Sequence, residues 1–574
     1  EPELANLEQV AVLRGPSSLY GQSEPGGVIN LVTKRPLSEP YYNLQLQAGN
    51  REFLNPSIDL SGPLTEDGRL LYRLNALYRQ EDSFRDYDSN FNRFFIAPPF
   101  SGTINEQTDL LVNIEYARDE DPYVVGTLAF EEGIADVPLE RVFNNPDNTI
   151  EQNYLNTGYT LEHRFNEGWQ LRNQFRYIAS DLKYSVFPRL LLLDESTGIL
   201  NRTFSSQAVE ADAYAFYTNV QGEFNTGSVE HTFLFGVDVS LEETENESRA
   251  SRDPAFLSPI DIFDPDYSAV STPSRESIPI FPPISNETRT NQLGIYLQNQ
   301  AELLDNLIVV AGLRYDTVNQ EITNSITNAE TEQYDDALTP RIGIVYQPIE
   351  PVSLYANYTR SFVPNGGIDI DGQPLEAEEG EGFEIGIRAD IIENRLSATL
   401  AYFDITKQNV ATADPADPFS SVATGEQQSQ GVDFNLTGEI LPGWNVVASY
   451  AYIDAEVTSD NTDIVGNRLS NIPEHSASLW TTYEVQSGDL QGLGFGLGFD
   501  FVGERQGDLA NSFQTDSYFL TNAAISYQRS NWQARLNVDN LFNADYIEST
   551  NNSRLNQIYP GDPLTLRASV SYTF

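Results

Sequence analysis

The chain has 574 residues, and 84 Asp and Glu against 33 Lys and Arg give a formal net charge of −51, which excludes a nucleic-acid-binding protein because phosphates require a basic surface. Cysteine is absent, so a disulfide framework, a thiolate zinc site and a thiol nucleophile are excluded. No run of 18 apolar residues occurs, which excludes a membrane-spanning helix but not a membrane β-barrel.

The first distinctive element is the Gly- and Pro-rich segment "VLRGPSSLYGQSEPGGVINLVTKRP" at residues 12–36. A phosphate-binding loop would need Lys after its last glycine, but Gly27 and Val28 follow Gly26 here. The glycines instead predict sharp turns and close approach of the backbone to a neighbour. The chain begins with "EPELANLEQV", which lacks an initial Met and is no signal peptide, so we expect a fragment of a longer protein.

The next elements show a period of two. In residues 69–79 apolar and aromatic side chains occupy nearly every second position, and the alternation recurs at 532–539 and, most regularly, at 565–574. This pattern predicts β-strands with one apolar face. The runs reach about 9–11 residues, the length that a tilted strand needs to cross a bilayer.

The predicted connections come in two lengths. Short turns alternate with long loops, which is typical of an outer-membrane barrel, and a closed barrel satisfies every backbone group in lipid. The short turns lie at residues 65–68, 166–168, 392–394 and 529–531, and the long loops at 119–152, 187–209, 241–292 and 363–380.

Several segments together resemble the TonB-dependent outer-membrane receptors of the ferric-siderophore type. The resemblance covers the whole chain in the order typical of that family. It is carried by residues 14–36, 378–410, 425–455, 501–508 and 537–547 and by the aromatic C-terminus.

The resemblance implies an all-β fold, a 22-stranded antiparallel transmembrane β-barrel with the C-terminal remnant of a plug domain. Residues 1–36 would be the end of a truncated plug, without the TonB box, and residues 37–574 the barrel. The location would be the bacterial outer membrane, in contact with its lipid. Phe574 would be the terminal aromatic that the barrel-assembly machinery recognises.

The implied function is a receptor that binds ferric siderophores at the extracellular face and imports them with energy from the TonB complex, which would act through the missing N-terminal segment. We expect a monomer that is not an enzyme, has no resident cofactor or metal and binds no nucleic acid. The same fold could instead import cobalamin, haem, another metal chelate or a carbohydrate. A soluble carbohydrate-binding or hydrolytic protein is disfavoured by the long strands and the lack of a catalytic motif.

The resemblance also suggests ligand-contacting residues. Tyr20 matches a position at the apex of the plug and would either contact the ligand or pack within the plug, since tyrosine suits both roles. Aromatic residues in the long loops are further candidates, because ligand pockets favour aromatic walls, although each alone would suit packing within its loop. These candidates are Tyr123, Phe130, Phe263 and Tyr267.

In such receptors plug arginines pair with carboxylates of the barrel wall. By this resemblance Arg35 is expected to pair with Glu384 and Asp433, with Asp433 standing where the family often has Glu. Residues 367–378 carry acidic side chains at some calcium-ligand spacings but begin with Gly, so an acidic external loop is favoured. The three histidines are far apart in the sequence and are expected to be structural.

Overall fold

The computed structural model describes residues 2–17, 21–251, 253–281, 285–367, 369–370, 373–414 and 417–574, with side chains from 421 onward in the last range. β-strands dominate this part of the chain. Two short 3-10 turns, Pro254–Phe256 and Arg275–Ser277, lie in one long connection. Among the described residues, no helix is long and apolar enough to cross a membrane.

The first two strands form a separate antiparallel hairpin, which we call the lumen hairpin. β1 (Leu7–Arg14) and β2 (Gly27–Thr33) pair from Leu7 with Thr33 at the open end to Arg14 with Gly27 near the tip. Gly27 has a φ of 133°, and a Cβ there would lie 2.2 Å from the Leu13 carbonyl oxygen, so only glycine fits this position.

The rest of the chain builds a closed antiparallel barrel with short strand pairs in its loops. The strands of its first part are β3 (Tyr41–Gly49), β4 (Leu54–Pro63), β5 (Leu70–Glu81), β6 (Phe91–Ala97), β7 (Phe100–Asn105), β8 (Thr108–Pro122), β9 (Ala129–Phe130), β10 (Gly133–Ile134), β11 (Thr149–Arg164), β12 (Trp169–Tyr184), β13 (Phe187–Asp194), β14 (Ile199–Thr226), β15 (Val229–Ala250) and β16 (Ile260–Asp261).

The second part closes the ring, since β33 pairs with β3. Its strands are β17 (Asn286–Leu304), β18 (Leu307–Asn324), β19 (Glu330–Ile349), β20 (Val352–Val363), β21 (Glu378–Ile392), β22 (Leu396–Asp414), β23 (Asp417–Leu441), β24 (Trp444–Ser459), β25 (His475–Glu484), β26 (Leu493–Val502), β27 (Arg505–Gln506), β28 (Gln514–Thr515), β29 (Tyr518–Arg529), β30 (Trp532–Asp539), β31 (Ile547–Ser549), β32 (Tyr559–Pro560) and β33 (Thr565–Thr573).

In the described part of the chain the wall has 22 strands, which confirms the expected barrel. β6 and β7 are two parts of one strand, separated at Pro98 and Pro99, where proline has no N–H for the ladder. The Arg73 amide donates to the Pro99 carbonyl across this break, at 3.0 Å. β13 and β16 pair only with the external end of β14 and therefore extend the sheet beyond the wall.

Alternation along each strand separates a lipid-facing surface from a polar lumen. On β21 the side chains of Phe383, Ile385 and Ile387 are exposed on the outside. Successive side chains of a strand point to opposite faces, so Glu378 and Glu384 belong to the inner face. At the end of β33, Phe574 is exposed, and its amide donates to the Tyr42 carbonyl at 2.9 Å.

The long connections are more ordered than the sequence predicted. Residues 187–209 were expected to be a loop, but they form β13 and the first part of β14. The reason is a local pairing of these two strands from Phe187 with Ser205 to Asp194 with Ile199. In barrels of this kind short turns face the periplasm and long loops face outward, so this small sheet lies outside the membrane.

Apolar packing is concentrated in these external loops. The main cluster joins residues of the β8–β11 connection to β13, β14 and β16, and a second cluster joins that connection to loops near the C-terminus. We call this assembly the loop cap. It consists of residues 123–148, 187–205, 253–281, 505–515 and 547–560.

The lumen hairpin crosses the inside of the barrel. At its open end Lys34 bonds Asp59 of β4 at 3.0 Å, and Asn6 donates to Glu115 of β8 at 3.0 Å. At its tip Arg14 forms an ion pair with Asp433 of β23, on the far wall. The hairpin is therefore attached to two separate parts of the wall.

Candidate functional site

The tip of the lumen hairpin rests on the inner face of β21. The sequence "EEGEGFEIG" places Glu378, Gly380, Gly382 and Glu384 at alternate positions of this strand, and therefore on one face. A Cβ at Gly380 would lie 2.7 Å from the Pro25 Cβ, and one at Gly382 would lie 2.5 Å from the Pro16 Cδ. The two glycines thus make room for the prolines that flank the turn of the hairpin.

Two ion pairs hold this tip to the wall. Arg14, just before the turn, pairs with Asp433 of β23. Glu24, within the turn, pairs with Lys407 of β22 at 3.1 Å, and Lys407 also contacts Glu378 at 2.6 Å. Asp433 lies opposite Ala401 of β22, six residues from Lys407, so the two anchors are about 20 Å apart along the wall.

Further contacts connect the tip to β18 and β20. The Ser23 amide donates to the Phe362 carbonyl at 3.3 Å. A Cβ at Gly21 would lie 3.0 Å from Nη2 of Arg314, which pairs with Asp238 at 2.7 Å and Asp316 at 2.8 Å. The backbone of the turn therefore lies directly against a charged patch of the wall.

The expected pairing of Arg35 with Glu384 and Asp433 is corrected by this geometry. Arg35 lies 3.7 Å from Glu162 of β11, and its carbonyl accepts a hydrogen bond from Arg73 at 2.9 Å. The reason is the length of the hairpin, because Arg35 follows its open end while Arg14 stands near its tip. Asp433 contacts the lumen hairpin through Arg14 instead.

Glu384 is close to the same anchor. Its carboxylate accepts a hydrogen bond from the Tyr355 hydroxyl of β20, and Arg14 interacts electrostatically with the same tyrosine. Tyr20, the proposed apex residue, lies outside the described residues.

The four aromatic candidates of the long loops come together in the loop cap. Tyr123, Phe130 and Tyr267 pack against its apolar cluster. The Phe130 and Phe263 rings lie 5.9 Å apart, and Phe263 is 48% exposed. In this arrangement three of the rings stabilise the cap, and Phe263 keeps a solvent-facing surface.

Tyrosine hydroxyls in and beside the cap are hydrogen-bonded. The Tyr267 hydroxyl donates to the Val142 carbonyl at 2.6 Å. Burial raises the pKa of Tyr267 and of Tyr123 above the ordinary value of tyrosine. Burial also raises the pKa of Tyr87, whose hydroxyl bonds Asn144 at 3.1 Å, to about 12.

Arginines connect the segments of the cap through carbonyl oxygens. Arg202 is 1% exposed and donates to the carbonyls of Phe143 at 3.0 Å, Asn144 at 3.3 Å and Ser258 at 2.7 Å, and also to the Ser258 hydroxyl at 2.9 Å. Arg554 donates to the Glu131 carbonyl at 2.7 Å. Such bonds satisfy buried carbonyls of irregular backbone, which would otherwise be costly.

Within the described part of the chain, no group of three or more His, Asp or Glu could hold a metal ion. The acidic segment 367–378 lies partly outside the described residues. The histidines lie beside aromatic rings, His163 by Phe165, His231 by Phe224 and His475 by Tyr452.

Sequence reasoning missed most of the groups that seat the hairpin. The pattern Glu-x-Gly-x-Gly-x-Glu on β21 could have indicated a part of the wall against which another segment of the chain packs closely. Nothing local could have indicated Glu24 with Lys407, which are 383 positions apart. Glu3 was missed as well, although it is 6% exposed and bonds Arg79 at 3.1 Å and Arg93 at 3.4 Å at the open end.

A large closed barrel whose preceding segment is tied across the lumen defines a plugged outer-membrane barrel. The family model "TonB dependent receptor-like, beta-barrel" matches residues 96–541, and the chain belongs to this family. It is an outer-membrane protein, as are the barrels of that family.

Among curated relatives, the metal-pseudopaline receptor CntO of Pseudomonas aeruginosa (strain UCBPP-PA14) is 35% identical, over 100% of this chain and 81% of the relative. The ferrichrome outer membrane transporter/phage receptor of Escherichia coli (strain K12) is 30% identical, over 95% of this chain and 76% of the relative. The crystal structure of the siderophore receptor PiuA from Acinetobacter baumannii has a TM-score of 0.90 at 22% identity, covering 100% of this chain and 87% of that one. This structural likeness shows the fold.

Proposed function

We propose that this protein binds ferric siderophores at the extracellular face and imports them in a TonB-dependent manner. The observation that carries the proposal is the lumen hairpin, which crosses the inside of the barrel and is held at its tip by partly exposed ion pairs. Exposed ion pairs contribute about 0–1 kcal/mol each, so such a seat can be released without unfolding the wall. The kinship with a ferrichrome transporter supports the choice of ligand.

In this proposal residues 1–36 belong to the plug and residues 37–574 form the barrel. The ferric siderophore is cargo and not a resident cofactor, and the protein acts as a receptor without catalysing a reaction. The TonB complex would supply the energy for import. The barrel would work as a monomer in outer-membrane lipid, with Phe574 read by the barrel-assembly machinery.

The test is uptake of radioactive iron by a deletion strain that carries the full-length gene. We expect saturable import of at least one ferric siderophore that stops when TonB is deleted. Import that continued unchanged without TonB would contradict the proposal. A barrel variant that folds but lacks the lumen hairpin is the control for simple leakage.

A second candidate keeps the fold and mechanism but changes the cargo to another metal chelate. It is favoured by 35% identity to a metal-pseudopaline receptor. Growth of the same strain on single iron sources, compared with growth on chelated zinc or nickel, separates the two. If growth depends on the receptor only when the chelate carries another metal, that metal and not iron is the cargo.

A further inference from the structure

The charges at the hairpin tip are unequal. Lys407 has two carboxylate partners, Glu378 at 2.6 Å and Glu24 at 3.1 Å. The Glu378 side chain is 16% exposed, whereas that of Glu24 is 61% exposed. One ammonium group is thus shared by a half-buried carboxylate and an exposed carboxylate, which leaves one net negative charge.

This inequality decides which kind of charge can displace the contact. An arriving anion would compete with two carboxylates for Lys407, and one of them is held in the wall. An arriving cation can bind Glu24 while Lys407 keeps Glu378 as a neutralising partner. The exchange with a cation therefore leaves every charge at the tip paired, and the exchange with an anion does not.

The surrounding wall also favours a positively charged ligand over a negatively charged one. Arg314 on β18 lies against Gly21 of the turn and is already paired with Asp238 at 2.7 Å and with Asp316 at 2.8 Å, so one positive charge faces two carboxylates here as well. Together with the net charge of −51, these groups give the tip a negative potential that attracts cations.

We propose that Glu24 is a specificity-determining residue that recognises a protonated amine on the metal chelate, and that this contact replaces the Glu24–Lys407 ion pair. The inference rests on the proposed function and adds the chemical class of the ligand. Because Glu24 lies between Ser23 and Pro25, which touch β20 and β21, its transfer from Lys407 to the ligand frees one of the two anchors of the tip. Ligand recognition and loosening of the hairpin are then a single event.

The probes are ferrioxamine B, which carries a terminal protonated amine, and its neutral N-acetylated form. Affinity is measured by quenching of intrinsic fluorescence in the purified full-length receptor. We expect the amine form to bind about threefold to tenfold more tightly, the size of one partly exposed charge contact. Glu24→Gln should remove this preference, and Lys407→Gln, which frees both carboxylates, should increase it.

Glu8→Gln is the matched control, since Glu8 is an exposed carboxylate of the same hairpin. It should keep the wild-type preference and bind both probes as the wild type does, whereas the Glu24 and Lys407 variants are judged by the ratio of their affinities for the two probes. A preference that survives Glu24→Gln, or that is lost in Lys407→Gln, would overturn the inference. If the receptor imports a different chelate but binds neither probe, the inference is overturned and the proposed function stands. If the receptor imports no chelate at all, the proposed function itself is contradicted.

Discussion

The loop cap and the seat of the hairpin tip lie in the same barrel but are held together by different forces. The cap buries apolar side chains and satisfies its carbonyls through arginines such as Arg202. The seat uses glycine contacts and ion pairs in which the side chain from the hairpin is exposed, with 56% exposure at Arg14 and 61% at Glu24. Buried contacts cost several kcal/mol to break, but exposed pairs cost about 0–1 kcal/mol, so the external surface is fixed while the interior can rearrange.

The largest effect is expected in the cap. Arg202→Met removes four hydrogen bonds and leaves buried carbonyls without a donor, which should destabilise the cap by about 3 kcal/mol or more. Protease cleavage within residues 253–281, with the barrel remaining intact on gels, would measure it. Arg289→Met is the control, because that arginine is 51% exposed in its pair with Glu243. Equal cleavage of the two variants would show that the buried hydrogen bonds of the cap are no stronger than an exposed ion pair.

The next effect tests the glycine contacts of the seat. Gly382→Ala places a Cβ 2.5 Å from Pro16, which should weaken docking of the tip by about 1–3 kcal/mol. Faster hydrogen exchange of the β1 and β2 amides is the expected result. Gly343→Ala has no neighbour closer than 3.8 Å and should exchange as the wild type does. Unchanged exchange in Gly382→Ala would mean that the seat is already loose.

A third prediction concerns the loss of stability at high pH where Tyr87 contacts Asn144 of the cap. The pKa of Tyr87 is raised to about 12 by burial, so its stabilising contribution is complete below pH 10 and is lost as pH rises towards 12. The expected slope is at most about 1.4 kcal/mol per pH unit for one proton. Tyr87→Phe should lower the slope by this one-proton share, while Tyr123 and Tyr267, whose pKa burial also raises, keep theirs; loss of near-ultraviolet circular dichroism and tyrosinate absorbance are the measurements. Parallel titration curves of variant and wild type would show that another group sets the limit.

The smallest effect is expected for Arg14 and Asp433. A double-mutant cycle with Arg14→Gln and Asp433→Asn should give a coupling energy of about 0–1 kcal/mol, decreasing with added salt because Arg14 is exposed. Thermal unfolding of the purified receptor at low and high salt provides the values. A coupling energy above about 2 kcal/mol that does not change with salt would mean that this ion pair is as strong as the buried contacts of the cap.

The barrel could be predicted from the sequence because its strands obey a local rule. Alternation in residues 565–574 fixes which side chains of β33 face lipid, whatever its neighbours are. The seat could not be predicted, since its pairs join residues that are distant in the chain. Arg35 failed as a candidate because only the register of the hairpin reveals that Arg14, and not Arg35, reaches β23. The local pairing of β13 with β14 was missed for a different reason, since the leucine run at residues 190–193 lacks the alternation of the wall strands and the pairing is irregular there.

The register of the lumen hairpin has a mechanical consequence. Leu7 and Thr33 form the first pair at the open end, and the chain continues from Thr33 through Lys34 to the barrel wall. A pull on the segment before Leu7 therefore loads the wall contacts of Glu3 and Asn6 first and then this pair, and each broken pair passes the load to the next one. Strands opened in this order separate like a zipper and need much less force than strands sheared along their length. The force reaches Arg14 and its anchor last, after the rest of β1 has left β2.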